Sequence, residues 1–268
     1  MSKNDRRKPI GVFDSGLGGL TVVKEMMRCL PREDIVYFGD TARVPYGTKS
    51  EESIIRFSVE NTEILLEHDV KAVVVACNSS SSCAIPALRA AFDLPIISVI
   101  EPGAYKAVTV TKNQRVGVIA TSATIKSQKY VEAITRLNPA VKVYGKACPL
   151  FVPLVEEGWT GKTVTGLVAE EYLRDLIKAR VDTLILGCTH YPLLKPVLRR
   201  VMGPRVFLVD SASEVAGRAR NILMESGLLR EDKHTGKYRF LVSDRPQDFS
   251  RMASHFLGRE IRSVLVRR

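Results

Sequence analysis

DTLILGCTHY, residues 182–191, follows the same plan as KAVVVACNSS, residues 71–80: an apolar, β-branched run, a small residue, a cysteine, then a polar turn. A second pair lies upstream, where KPIGVFDSG (8–16) resembles QRVGVIATS (114–122). The offsets are 111 and 106 residues. One such likeness means little, because buried strands of α/β proteins read alike. Two in the same order, at nearly the same offset, predict a duplicated α/β unit.

Outward from these runs, short β-branched segments alternate with stretches of helical period, the pattern of parallel sheets wrapped by helices. The predicted strands are 10–13, 35–38, 72–76, 96–100, 116–120, 141–144, 183–187 and 206–209. Their nearly unbroken apolarity predicts that both sheet faces are covered. Helices are predicted over 51–68 and 163–179, the latter from Val164, Leu167, Val168, Tyr172, Leu173, Leu176 and Ile177. The expected fold is α/β: two similar lobes, each a mainly parallel sheet flanked by helices. Ligands are expected in the cleft between them, at the carboxyl ends of the strands.

The 268 residues are 45% hydrophobic and 26% charged, as in a soluble globular chain. The net charge of +11 is unevenly placed: +3 in residues 1–8, zero in 9–190 and +8 in 191–268. No apolar stretch approaches the roughly 18–20 residues that span a bilayer, so no membrane role is expected. The N-terminus lacks a signal peptide's apolar segment. Five scattered cysteines with no CxxC pair indicate neither a disulfide scaffold nor a zinc site, and fit a reducing cytoplasm.

Cys77 and Cys188 hold equivalent places in the repeat, each ending a strand and opening a turn into a helix. A thiol at a helix N-terminus is expected to move toward thiolate. Two thiols facing one cleft could form a redox pair, but that requires Cα atoms 4.4–6.8 Å apart. A thiol amidase would not need the second cysteine. On opposite sides of one carbon, one thiolate can take a proton while the other thiol gives one, which is racemisation or epimerisation. Cys29, Cys83 and Cys148 have no polar cluster beside them and read as structural.

Asp14-Ser15-Gly16-Leu17-Gly18-Gly19 follows the first strand, where N–H groups and the Ser15 hydroxyl can hold an anion. Its glycines match neither a dinucleotide nor a P-loop fingerprint. Asp14 can orient an ammonium group or simply cap a helix. In Asp40-Thr41-Ala42-Arg43-Val44-Pro45-Tyr46-Gly47, Pro45 stiffens the loop, Gly47 frees its backbone and Tyr46 offers an N–H to a carboxylate. His190, two residues after Cys188, can assist proton transfer. His68, His234 and His255 read as helix-end or surface residues.

Taken together, DSGLGGLTV, YFGDTARVPYG, VVVACNSSS, VGVIATSATIKSQKY, CPLFVPLVEEG and LGCTHYPLL resemble, in this order, the glutamate racemases of the aspartate/glutamate racemase family. The likeness spans residues 9–257. It implies a cofactor-independent, two-base interconversion of L- and D-glutamate in the cytoplasm, for peptidoglycan synthesis. It implies Cys77 as the base toward D-glutamate and Cys188 toward L-glutamate, with Asp14 and His190 assisting and Glu156 supporting the histidine. Substrate binding is implied for Asp14, Ser15, Tyr46, Gly47, Asn78, Ser79, Thr189 and His190. It further implies a discontinuous first lobe, 1–99 plus 211–268, and a second lobe, 100–210. The family commonly has threonine and alanine after Cys-Asn, where this chain has Ser79 and Ser80.

Other readings are weaker. A racemase for aspartate would use the same chemistry. A nucleic-acid-binding role for the basic last quarter is disfavoured, because its charges are mixed with acids and no recognition motif occurs. No lysine sits in a motif suited to a pyridoxal Schiff base. The sequence leaves the oligomeric state open, a homodimer included.

Overall fold

A computed structural model describes residues 5–258, 261 and 264–267, apart from the side chains at 248, 251, 252 and 255. The reading of His255 therefore lies outside the described residues. Among the described residues, ten strands form two parallel sheets. The first contains β1 (Ile10–Asp14), β2 (Ile35–Gly39), β3 (Ala72–Val75) and β4 (Ile96–Ser98). The second contains β5 (Arg115–Ala120), β6 (Lys142–Ala147), β7 (Thr183–Gly187) and β8 (Phe207–Asp210). Their orders are β2-β1-β3-β4 and β6-β5-β7-β8, so the two sheets share one plan. The first is extended beyond β2 by β9 (Tyr238–Val242) and β10 (Val264–Val266).

Alternate residues of the central strands enter different cores. From β3, Ala72 and Val74 join the largest cluster, while Val73 and Val75 join another on the far face. From β7, Leu184 and Leu186 join that same largest cluster, and Ile185 turns to a third. One continuous core therefore lies between the sheets, which is why the strand runs are apolar on both faces. The helix Ser211–Glu225 packs on both Leu20–Cys29 and Ile100–Val110, bracing one lobe against the other.

Some expectations need correction. The strand expected over 96–100 stops at Ser98, whose hydroxyl accepts from Ile100 N–H at 3.1 Å as the helix Ile100–Val110 begins. β6 is an edge strand with no fully buried residue, so coverage of both faces fails there. In the helix Thr163–Lys178, Leu167 is 61% exposed although it lies on the predicted apolar face. Among the described residues, no helix is long and apolar enough to cross a membrane.

Candidate active site

Because all strands within each sheet run parallel, their carboxyl ends gather the polar turns in one place. Ser15 follows β1, Cys77 follows β3, Thr121 follows β5, and Cys188 follows β7. All four line one cavity of about 30 Å3 between the lobes, with Tyr46, Asn78, Thr189 and His190 among the other walls. That volume holds about one or two water molecules. Cys77 and Cys188 are both buried, 5% and 7% exposed as residues.

Two glycines let the lobes approach. A Cβ on Gly18 would lie 2.2 Å from Thr189 Oγ1 and 2.6 Å from His190 Nδ1; one on Gly47 would lie 2.5 Å from Thr121 Cβ. Hydrogen bonds cross at the same points. Thr189 Oγ1 donates to Asp14 Oδ1 at 3.4 Å, Ser79 and Thr121 share a hydroxyl contact at 2.9 Å, and Tyr130 OH donates to Asn78 Oδ1 at 2.8 Å.

The thiols sit in unlike surroundings. Cys77 Sγ is 3.6 Å from Ser15 Oγ. Burial pushes its pKa up to about 11, reinforced by the negative charge of Asp14 and opposed by the Ser15 hydroxyl and by the N–H and hydroxyl of Ser80, which favour the thiolate. The expected drift toward thiolate is not met, since the helix Asn78–Cys83 has only six residues and burial outweighs its field. Cys188 Sγ lies 3.8 Å from His190 Nδ1, and His190 Nε2 lies 3.0 Å from Glu156 Oε1. Burial opposes charge on His190, but hydrogen bonds to Cys188 and Glu156 outweigh it and raise the pKa to about 10. Asp14 is fully buried, which raises its pKa despite the His190 charge and the N–H groups of Gly19, Gly16 and Ser15.

The loop after β2 is held from behind. Tyr46 OH donates to buried Asp40, and Asn61 Nδ2 donates to the Tyr46 oxygen at 3.0 Å. Asp40 also accepts from Arg43 at 2.5 Å and from Ser243 at 2.9 Å. Arg43 in turn bonds Glu60 and Asn61 and lies 4.2 Å over the Phe57 ring. This network fixes where Tyr46 and Gly47 meet the cavity.

Comparison with known proteins reads the same way. Residues 10–219 match the family model described as Asp/Glu/Hydantoin racemase. The chain belongs to that racemase family. It is 53% identical over 257 residues to a glutamate racemase of Geobacter metallireducens, covering 96% of this chain and 95% of that one. Among solved structures, a glutamate racemase of Bacillus anthracis aligns with a TM-score of 0.94 at 40% identity. One from Francisella tularensis, in complex with D-glutamate, aligns at 0.91 and 40%. Each alignment covers 98% of both chains.

For a racemase of this family, a cavity with a thiol from each lobe is suited to proton transfer at both faces of one carbon. Ser15, Tyr46, Gly47, Cys77, Asn78, Ser79, Glu156, Cys188, Thr189 and His190 all line it, and Asp14 lies directly behind. His68 and His234 lie elsewhere, beside Arg239 and Asp34. Sequence reasoning missed Thr121, although the repeat pairs it with Ser15 at the offset of 106. It also missed Tyr130, Asn61 and Val152; Tyr130 and Val152 lie in quoted motifs, but none carried a local signal of a site role. Among the described residues, no group of three or more His, Cys, Asp or Glu is placed to hold a metal ion.

Proposed function

We propose that the protein is a glutamate racemase that uses Cys77 and Cys188 as a pair of acid–base groups. The observation that carries this reading is that the two repeat-related thiols face one cavity. Cys77 as thiolate takes the α-proton of D-glutamate onto sulfur, while the thiol of Cys188 delivers its proton to the opposite face. The reverse reaction exchanges the roles. N–H groups and hydroxyls of Ser15, Asn78, Ser79 and Thr189, with backbone at Tyr46 and Gly47, hold the carboxylates. Asp14 faces the ammonium group, and His190, backed by Glu156, serves Cys188.

Glutamate as substrate is supported by the relatives' activity and by D-glutamate in the Francisella tularensis structure. A cytoplasmic enzyme supplying D-glutamate to peptidoglycan accords with this reading, as does division into 1–99 plus 211–268 and 100–210. The cavity of about 30 Å3 is small for an amino acid, and the site widens as substrate enters. Cys77→Ala and Cys188→Ala should each abolish interconversion of L- and D-glutamate, and wild type in deuterated water should place deuterium at the α-carbon. Full activity in either variant refutes the two-base assignment; faster turnover of aspartate refutes the substrate.

A further inference from the structure

The helix Asn78–Cys83 contains four consecutive serines, all buried. Three have hydrogen-bond partners. Ser79 meets Thr121, Ser81 donates to the Val75 carbonyl at 2.8 Å, and Ser82 donates to the Ser79 carbonyl at 2.8 Å. Ser80 does not. Its Oγ is the single buried side-chain nitrogen or oxygen among the described residues with no hydrogen-bond partner. Leaving a buried hydroxyl unpaired is unfavourable, and alanine would suit the helix better.

Position explains what this hydroxyl faces. Cys77 is the N-cap of the helix and Ser80 its third residue, and these two positions turn toward each other across a first turn. The reacting sulfur of Cys77 is therefore the acceptor within reach. A neutral thiol is a weak acceptor, whereas a thiolate is a strong one.

We infer that the Ser80 hydroxyl is held in reserve for the Cys77 thiolate, unpaired while the sulfur is protonated and donating to it once the proton has left. This rests on the two-thiol reading above and adds Ser80 as a positioning residue for one of the two bases. The Ser80 N–H and hydroxyl act with Ser15 to lower a Cys77 pKa that burial and Asp14 raise. The charged or titratable groups facing Cys77 are Asp14 and Tyr37 from its own sheet, Tyr46 and Cys83 packed beside it, and Cys188, His190 and Glu156 across the cavity. The second lobe has no such hydroxyl. Ser80's repeat counterpart is Tyr191, whose OH is spent on the Cys148 carbonyl at 2.8 Å.

The test is site-resolved alkylation of the full chain with iodoacetamide across pH, with Cys77 followed by peptide mass, in wild type, Ser80→Ala and Ser81→Ala. In Ser80→Ala, the Cys77 midpoint should rise, and its alkylation rate below the midpoint should fall about tenfold. The melting temperature should hold or increase, because no hydrogen bond of the resting protein is lost. Ser81→Ala should do the opposite, losing melting temperature while leaving the Cys77 midpoint in place. Overlaid alkylation profiles for wild type and Ser80→Ala would overturn the inference. So would a melting loss in Ser80→Ala equal to that of Ser81→Ala. Alkylation does not require catalysis, so a shifted midpoint with unchanged racemisation would sink the role of Cys77 as a base and leave Ser80 as its donor.

Discussion

Gly18→Ala tests whether the lobes must meet as closely as described for the enzyme to work. The added Cβ would fall 2.2 Å from Thr189 Oγ1, 2.6 Å from His190 Nδ1 and 2.8 Å from Thr189 Cβ, against ordinary contacts of 3.4–4 Å. Rotating the Thr189 hydroxyl away relieves the first clash only, and gives up its bond to Asp14. The Cβ clash remains, so the turn after β7 must retreat by roughly 1 Å, a misplacement that can cost about 100-fold in rate. Overpacking should also cost about 1–3 kcal/mol of stability. The assay is optical rotation of L-glutamate over time, with a thermal melt to establish that the variant is folded. Gly217→Ala is the control. It lies within the helix Ser211–Glu225 with nothing within 4 Å of its added Cβ, and should gain about 0.5–1 kcal/mol with activity intact. If folded Gly18→Ala works within threefold of wild type, the lobes are not held at this distance during catalysis and the argument fails.

Glu156→Gln should destabilise the protein in a pH-dependent way. The His190 pKa is raised from 6.5 to about 10, so the stability its charge contributes is full below pH 6.5 and lost as pH rises through about 10. The deficit of the variant should be about 1–2 kcal/mol at pH 7, allowing for Glu156 being 32% exposed, and should vanish near pH 10.5. Urea unfolding at the two pH values checks this, and equal deficits would contradict it. Tyr46→Phe removes the hydroxyl that Asp40 and Asn61 share. It should cost about 1–3 kcal/mol and raise KM more than it lowers kcat. A change confined to kcat would mean that the loop does not hold substrate.

The central strands were legible because each is covered on both sides, and a two-faced apolar run has few other fates. β9 was not, since Arg239 interrupts the apolar run YRFLV and only three of its five residues are buried. β10 is shorter and more exposed still. That the two thiols share one cavity was legible through repetition: either cysteine alone resembles core filler, and the spacing between the repeats set both apart. The same repeat held Thr121 in view as the partner of Ser15. What lay beyond reading was anything set by how elements lean on one another. Asn61 sits on a helix face like any other polar residue, and only the angle of the helix Glu51–Leu66 brings it to Tyr46 and Arg43. The Cys77 pKa was misjudged for the same reason, because local helix geometry is visible in sequence and closure of a second lobe over the sulfur is not.

The repeat also separates two tasks that a racemase site must perform. Enantiomers have equal free energy in water, so kcat/KM must be equal in the two directions whatever surrounds each thiol. Proton transfer therefore tolerates a symmetric frame, and the frame is nearly symmetric: Cys77 matches Cys188, and Ser15 matches Thr121. The substrate itself is not symmetric, for it carries one ammonium group and two carboxylates about the reacting carbon. Its holding requires groups that occur once, and in the proposed site the departures from the repeat are what would supply them. Asp14 is matched by Ala120, Ser79 by His190, and Asn78 by Thr189. The unlike surroundings of the two thiols, hydroxyls on one side and a Glu156-backed imidazole on the other, thus cannot favour one enantiomer at low substrate. They can only divide the same barrier differently between KM and kcat, and it is in that division that the asymmetry of this site must be read.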